Sequence, residues 1–125
     1  MKEEALQRLN NFVFSEGKLL SFSSSGRSVT LRYQDYHERI FDLTFVNVAF
    51  LQSYGGGASF CEAVITDDSN DIVEAVSMLK ADNETSEQWN ADDLILLAIF
   101  EDVPVFKVIF QDVIINELRQ EGAPG

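Results

Sequence analysis

The segment from Arg39 to Leu51 constrains the fold of this chain more than any other, because it occurs twice. It reads Arg39-Ile40-Phe41-Asp42-Leu43-Thr44-Phe45-Val46-Asn47-Val48-Ala49-Phe50-Leu51, and sixty-five positions later the chain reads Pro104-Val105-Phe106-Lys107-Val108-Ile109-Phe110-Gln111-Asp112-Val113-Ile114-Ile115-Asn116. Aromatic residues recur in step: Phe41 with Phe106, Phe45 with Phe110. A strand sends alternate side chains to opposite faces. Phe41, Leu43 and Phe45 therefore share one face, as do Phe106, Val108 and Phe110, while the other face is mixed. This predicts antiparallel strands with one side packed. After Phe45 and Phe110 the apolar parity slips by one residue. Asn47 and Asp112 stand at the slip, and short Asx side chains tolerate left-handed backbone. A bulge or tight corner at those two positions accounts for the slip, and so does a plain loop between two separate strands.

Each copy extends backwards. Ser28 to Tyr33 precedes the first and Leu94 to Phe100 precedes the second, with hairpin loops at Gln34–Glu38 and Glu101–Pro104. Lys18 to Phe22 and Ile72 to Leu79 are each read as a further leading strand. Residues Lys2 to Asn11 predict a short helix with Ala5, Leu6, Leu9 and Val13 on its apolar stripe and Glu3 and Glu4 at its positive end. The expected fold is mainly β: one domain over residues 1–125, an antiparallel sandwich or strongly curved sheet of about seven strands, with one short N-terminal helix. Its two similar halves are expected at about 17–53 and 72–118.

Composition then narrows the classes. Hydrophobic residues make up 46 % of the 125, ten of them Phe, so a packed core is expected without disulfides. The one cysteine, Cys61, has no partner for an internal bridge. No apolar run reaches the ~18 residues of a membrane span, and Met1-Lys2-Glu3-Glu4-Ala5 lacks a signal core. These features predict a cytoplasmic protein of bacterial type. The net charge is −12. Residues 1–62 hold six Lys and Arg against seven Asp and Glu, a net of −1, whereas residues 63–125 hold three against fourteen, a net of −11. Direct binding to nucleic acid is disfavoured, since phosphates require Lys and Arg. A basic protein partner is the electrostatic complement; keeping the chain soluble is the other use of such charge.

Motifs for chemistry are weak. Gly55-Gly56-Gly57 resembles a phosphate loop, but no Lys-Ser or Lys-Thr follows, so a bend or linker is expected. Phe60 to Ile65 reads as a strand or a helical turn. Asp67-Asp68-Ser69-Asn70-Asp71 fails as a calcium loop, because Ile72 and Met78 stand where Gly and Glu are needed. His37, the only histidine, and Cys61 are not marked as neighbours, and Cys61 reads as a small core residue. There is no Cys/His cluster for zinc and no Gly-x-Ser-x-Gly elbow. The expectation is no enzyme, no metal and no cofactor. Residues 80–93 form an acidic connection in which Trp89 stands alone, either as a binding anchor or folded back on the core.

The segments Leu43-Thr44-Phe45-Val46-Asn47-Val48, Gly55-Gly56-Gly57 and Phe106-Lys107-Val108-Ile109-Phe110-Gln111-Asp112-Val113 resemble the small β-rich immunity proteins that bacteria keep beside polymorphic toxins. The likeness covers about two thirds of the chain and implies a cytosolic, non-enzymatic binding protein. The functional expectation is a protein-binding inhibitor or adaptor that docks a basic partner. Its expected contacts are Asp67, Asp68, Asp71, Glu84, Glu87, Trp89, Asp92 and Asp93. A small-ligand domain with an apolar pocket is the alternative.

Overall fold

In the computed structural model the strands form one strongly curved antiparallel sheet that closes on itself. The structure describes residues 2–54, 57–81 and 90–118. Eight strands run as β1 (Gly17–Ser25), β2 (Ser28–Gln34), β3 (Ile40–Val46), β4 (Phe50–Ser53), β5 (Ala58–Thr66), β6 (Ile95–Glu101), β7 (Val103–Phe110) and β8 (Asp112–Leu118). Helix α1 (Lys2–Asn11) precedes them, and α2 (Asn70–Ala81) lies between β5 and β6. The order in the sheet is β4-β7-β6-β5-β1-β2-β3-β8. Its two outermost members are continuations of inner ones: β4 prolongs β3, and β8 prolongs β7. The ladder β3–β8 thus passes into the ladder β4–β7, and six long antiparallel strands form a ring.

That passage is where the parity slip falls. Val46 pairs with Asp112 and Phe50 pairs with Ile109, so three residues (47–49) face two (110 and 111). The Gln111 N–H donates to Val46 O at 3.1 Å and the Ala49 N–H to Ile109 O at 2.7 Å, so pairing continues across the irregularity. Asn47 carries the extra turn with φ 54°, and its Nδ2 donates to Gln111 Oε1 at 3.0 Å. This is a bulge, as Asn47 allowed. Asp112 is different from the expectation: it is the first residue of β8, and its carboxylate accepts the Val113 N–H at 2.8 Å. The bend of the second strand lies at Gln111 instead.

The expected inward faces are inward. Leu43, Phe45, Phe106, Val108 and Phe110 are fully buried. Each such side chain contributes about 1.5–3 kcal/mol by leaving water. Phe12, Phe14, Tyr33 and Phe41 form an aromatic cluster near the end of α1, and the Tyr33 hydroxyl donates to the Phe14 carbonyl. Helix α1 adds Ala5 and Leu9 to the same core. Val13 does not belong to that stripe; the helix stops at Asn11 and Val13 is exposed, with Phe12 packing in its place.

Residues 72–79 are not a strand. They lie in α2, which begins at a Ser69 cap whose Oγ accepts the Asp71 N–H at 3.1 Å. Ile72, Ala75, Val76 and Leu79 are spaced for one helical face, and that face covers Leu94, Leu96, Ala98 and Ile109. Strand β6 is consequently buried on both sides, with Ile95, Leu97 and Ile99 turned to the main core. This accounts for its unbroken apolar run. The strand that neighbours β6 from the N-terminal side is β5, formed by the segment whose sequence left strand and helical turn open.

Candidate functional site

Two surfaces of different chemistry stand out. The first gathers several of the acidic residues expected to bind a partner. Asp67 and Asp68 follow β5, Asp92 and Asp93 form a 3-10 turn before β6, and Asp112 opens β8. Lys2 at the start of α1 joins them. Its Nζ lies 3.3 Å from Asp67, and Lys2, Asp93 and Asp112 line one open groove of about 360 Å³ with Val46, Asn47 and Gln111. Arg8, one to two turns along α1, binds Asp112 at 3.1 Å and also donates to Val113 O at 3.0 Å. Asp67, Asp93 and Asp112 therefore share this rim with Lys2 and Arg8, and the remaining charge is negative.

Local structure explains their placement. The Asp68 N–H is held by Thr66 Oγ1 at 3.0 Å, and the Asp92 N–H by Asn90 Oδ1 at 3.0 Å, so both turns are fixed by short polar side chains. Asp67, Asp68, Asp92 and Asp93 remain exposed. Asp71 differs, because its carboxylate turns to Lys107 at 2.9 Å and ties α2 to β7. Glu84, Glu87 and Trp89 lie outside the described residues. Asp112 belongs to the rim and was not among the expected contacts. Its strand register could not be read from composition.

The second surface was not legible as a site. It is an open groove of about 430 Å³ whose walls include Glu16, Lys18, Tyr36, His37, Glu38 and Phe60. Phe60 is 77 % exposed, more than any other large apolar side chain among the described residues. It sits in a bulge: Gly17 pairs with Cys61 and Leu19 with Ala58, so Ser59 and Phe60 together face Lys18. Its φ of 54° is one that glycine normally supplies. The facing wall is built by Asp35, which is buried. Asp35 Oδ1 accepts the His37 N–H at 3.0 Å and the Arg39 N–H at 2.9 Å, and Oδ2 accepts Arg39 Nε at 2.9 Å. This carboxylate holds the 35–39 loop, in which the Tyr36 and His37 rings lie 3.9 Å apart between centroids, tilted by 38°. The one signal in the sequence was Phe60 beside the glycines, an aromatic residue outside any clean alternation.

Cys61 faces inward with no exposure, while His37 lies in the exposed loop. Burial raises the thiol pKa above its ordinary value, although Leu19 and Tyr33 bond to it. A buried thiol held protonated is a poor nucleophile. Among the described residues no three His, Cys, Asp or Glu are grouped to hold a metal ion, and no helix is long and apolar enough to cross a membrane. Comparison with known proteins returned no matching family model, no matching curated protein and no matching solved structure.

Proposed function

We propose that this chain is a small protein-binding domain, an inhibitor or immunity-type protein without enzymatic activity, that docks a basic partner through its acidic rim. The observation that carries this reading is one acidic rim around Lys2, whose Nζ lies 3.3 Å from Asp67 and which lines a groove with Asp93 and Asp112. These carboxylates come from distant parts of the chain, and Asp68 and Asp92 adjoin two of them in sequence. Exposed carboxylates are acceptors for Arg and Lys, and like-signed clusters speed the encounter with an oppositely charged partner. If the partner is a nuclease, these groups take the place of its phosphates. Both the resemblance to immunity proteins and the charge of the second half support the same reading.

The test compares two variants of equal charge. Asp67→Lys, Asp68→Lys and Asp93→Lys together take the net charge from −12 to −6, and so do Glu62→Lys, Glu74→Lys and Glu117→Lys away from the rim. Binding to a lysine- and arginine-rich peptide is measured by calorimetry at several salt concentrations. The rim variant should lose at least about tenfold in affinity and the control much less. Equal losses would reduce the charge to a solubility device.

A further inference from the structure

We propose that the basic partner binds as an added strand: an extended segment bearing Lys or Arg pairs with the outer edge of β8 at Ile115 and Glu117 and runs on toward Asp112. The inference rests on the basic-partner reading and specifies how that partner is held.

The open edge follows from register. Strand β8 stands last in the sheet and, among the described residues, pairs only with β3. In an antiparallel ladder the N–H and C=O of one residue point to the same side, and successive residues point to opposite sides. Asp35 continues β2 in register, and its N–H donates to Arg39 O at 2.9 Å. Odd-numbered residues of β2 therefore turn their backbone to β3. Phe45, Leu43 and Phe41 answer them, which leaves the even residues of β3 for β8. Those even residues meet Asp112, Ile114, Asn116 and Leu118. The backbone groups of Val113, Ile115 and Glu117 consequently point away from β3. Val113 agrees: its N–H is taken by the Asp112 carboxylate at 2.8 Å and its C=O by Arg8 at 3.0 Å. No such cap stands at Ile115 or Glu117 among the described residues, and the side chains of Asn116 and Glu117 are exposed.

An unpaired strand edge defines its occupant. Only another extended backbone offers donors and acceptors at the matching spacing. Charge defines the rest. Asp112 and Glu117 lie on β8, and Glu4 reaches Arg8 at 3.6 Å, so three carboxylates stand along this edge with one guanidinium. The arginines of the neighbouring hairpin are committed, Arg32 to Asp42 and Arg39 to Asp35. A second copy would set these carboxylates against their own images, which disfavours edge-to-edge self-pairing. A basic strand meets complementary charge instead. Asp112 lies about 10 Å from Ile115 at strand rise, and it lines the groove shared by Lys2 and Asp93. One short basic segment thus spans the open edge and the rim.

The test uses two peptides of equal length and charge on the full chain, one alternating lysine with threonine and one alternating lysine with proline. The first forms a strand; the second lacks half the donors and resists the extended ladder. Calorimetry at low salt should show the lysine–threonine peptide binding at least about tenfold tighter. Glu117→Pro suits an edge position whose N–H faces solvent, and it should abolish that preference. Glu117→Gln removes the same charge, keeps the donor and should retain the preference. Amide exchange gives a second measurement that needs no variant: the Ile115 and Glu117 amides should exchange faster than those of Ile114 and Asn116 in the free chain, and should slow at least tenfold with the lysine–threonine peptide. Equal, salt-sensitive binding of both peptides, or no added protection at Ile115 and Glu117, overturns the added strand and leaves the basic-partner reading standing. Binding of neither peptide overturns both.

Discussion

Phe45 and Phe110 pack against each other in the centre of the barrel, their ring centroids 4.7 Å apart at an interplanar angle of 54°. They hold the same place in the two copies of the repeated segment, and both are fully buried. The ladders β3–β8 and β4–β7 bring the copies together antiparallel, each flanking its own bend. The element that organises the sequence is thus also the contact that closes the sheet.

Truncation of either ring should be costly. Phe110→Ala is expected to lower the unfolding free energy by about 3–5 kcal/mol through lost transfer and cavity formation. A double-mutant cycle with Phe45→Ala should show a coupling of about 0.5–1.5 kcal/mol from the ring contact. Urea unfolding of the four proteins measures both. Additive effects within about 0.3 kcal/mol would mean the rings contribute independently.

The bulge at Asn47 predicts an unusual substitution order. Asn47→Gly should fall within about 0.5 kcal/mol of wild type, because glycine takes φ 54° without strain and only an exposed hydrogen bond to Gln111 is lost. Asn47→Val should cost about 1–3 kcal/mol, since a β-branched residue resists that backbone. A Tm ranking with valine above glycine would contradict the bulge.

Gly17 is required by space rather than by φ. A Cβ there would lie 2.4 Å from Tyr33 Cε2 and 2.7 Å from the backbone oxygen of Gln34. The tyrosine is pinned by its hydroxyl, and the carbonyl belongs to the neighbouring strand, so neither yields easily. Gly17→Ala should destabilise by about 1–3 kcal/mol, read by thermal or urea unfolding.

Tyr33 and Cys61 predict loss of stability in alkali. Burial is the main cause that raises both pKa values above their ordinary 10.0 and 9.0. Below those values neither group distinguishes the folded from the unfolded chain. Above them the unfolded chain releases protons that the folded one retains, so stability falls as pH rises from about 9 upward. Tyr33→Phe should flatten that fall while costing about 1–2 kcal/mol at neutral pH, because the Phe14 carbonyl loses its donor. Urea midpoints at pH 7, 9 and 10.5 give the comparison. The same burial predicts that Cys61 reacts with a thiol reagent only on unfolding.

Alternation made most of the barrel legible. It identified β2, β3, β6 and β7, the inward faces of the repeated segments and the slip at Asn47, because a half-buried strand writes its period directly into the chain. It failed at residues 72–79, where Ile72, Ala75, Val76 and Leu79 fit a helix packed on a sheet. A short apolar run does not say which partner will cover it, and that partner, β6, is itself apolar on both faces. The acidic rim was half legible. Asp67, Asp68, Asp92 and Asp93 announced themselves by charge, whereas Asp112 joined them only through the register of β8 with β3.

The sequence by itself determined the β architecture, the buried aromatic faces, the place of the parity slip after Phe45 and the segregation of charge, since these follow from local spacing and composition. Only the tertiary structure decided that the sheet closes, that Lys2 pairs with Asp67 and shares a groove with Asp93 and Asp112, and that Phe60 lines a groove with Tyr36 and His37. Those depend on which strands pair and in what register. Pairing between residues 40–46 and 112–118, or between 17–19 and 58–61, is set by the packing of the whole core, which no local pattern encodes.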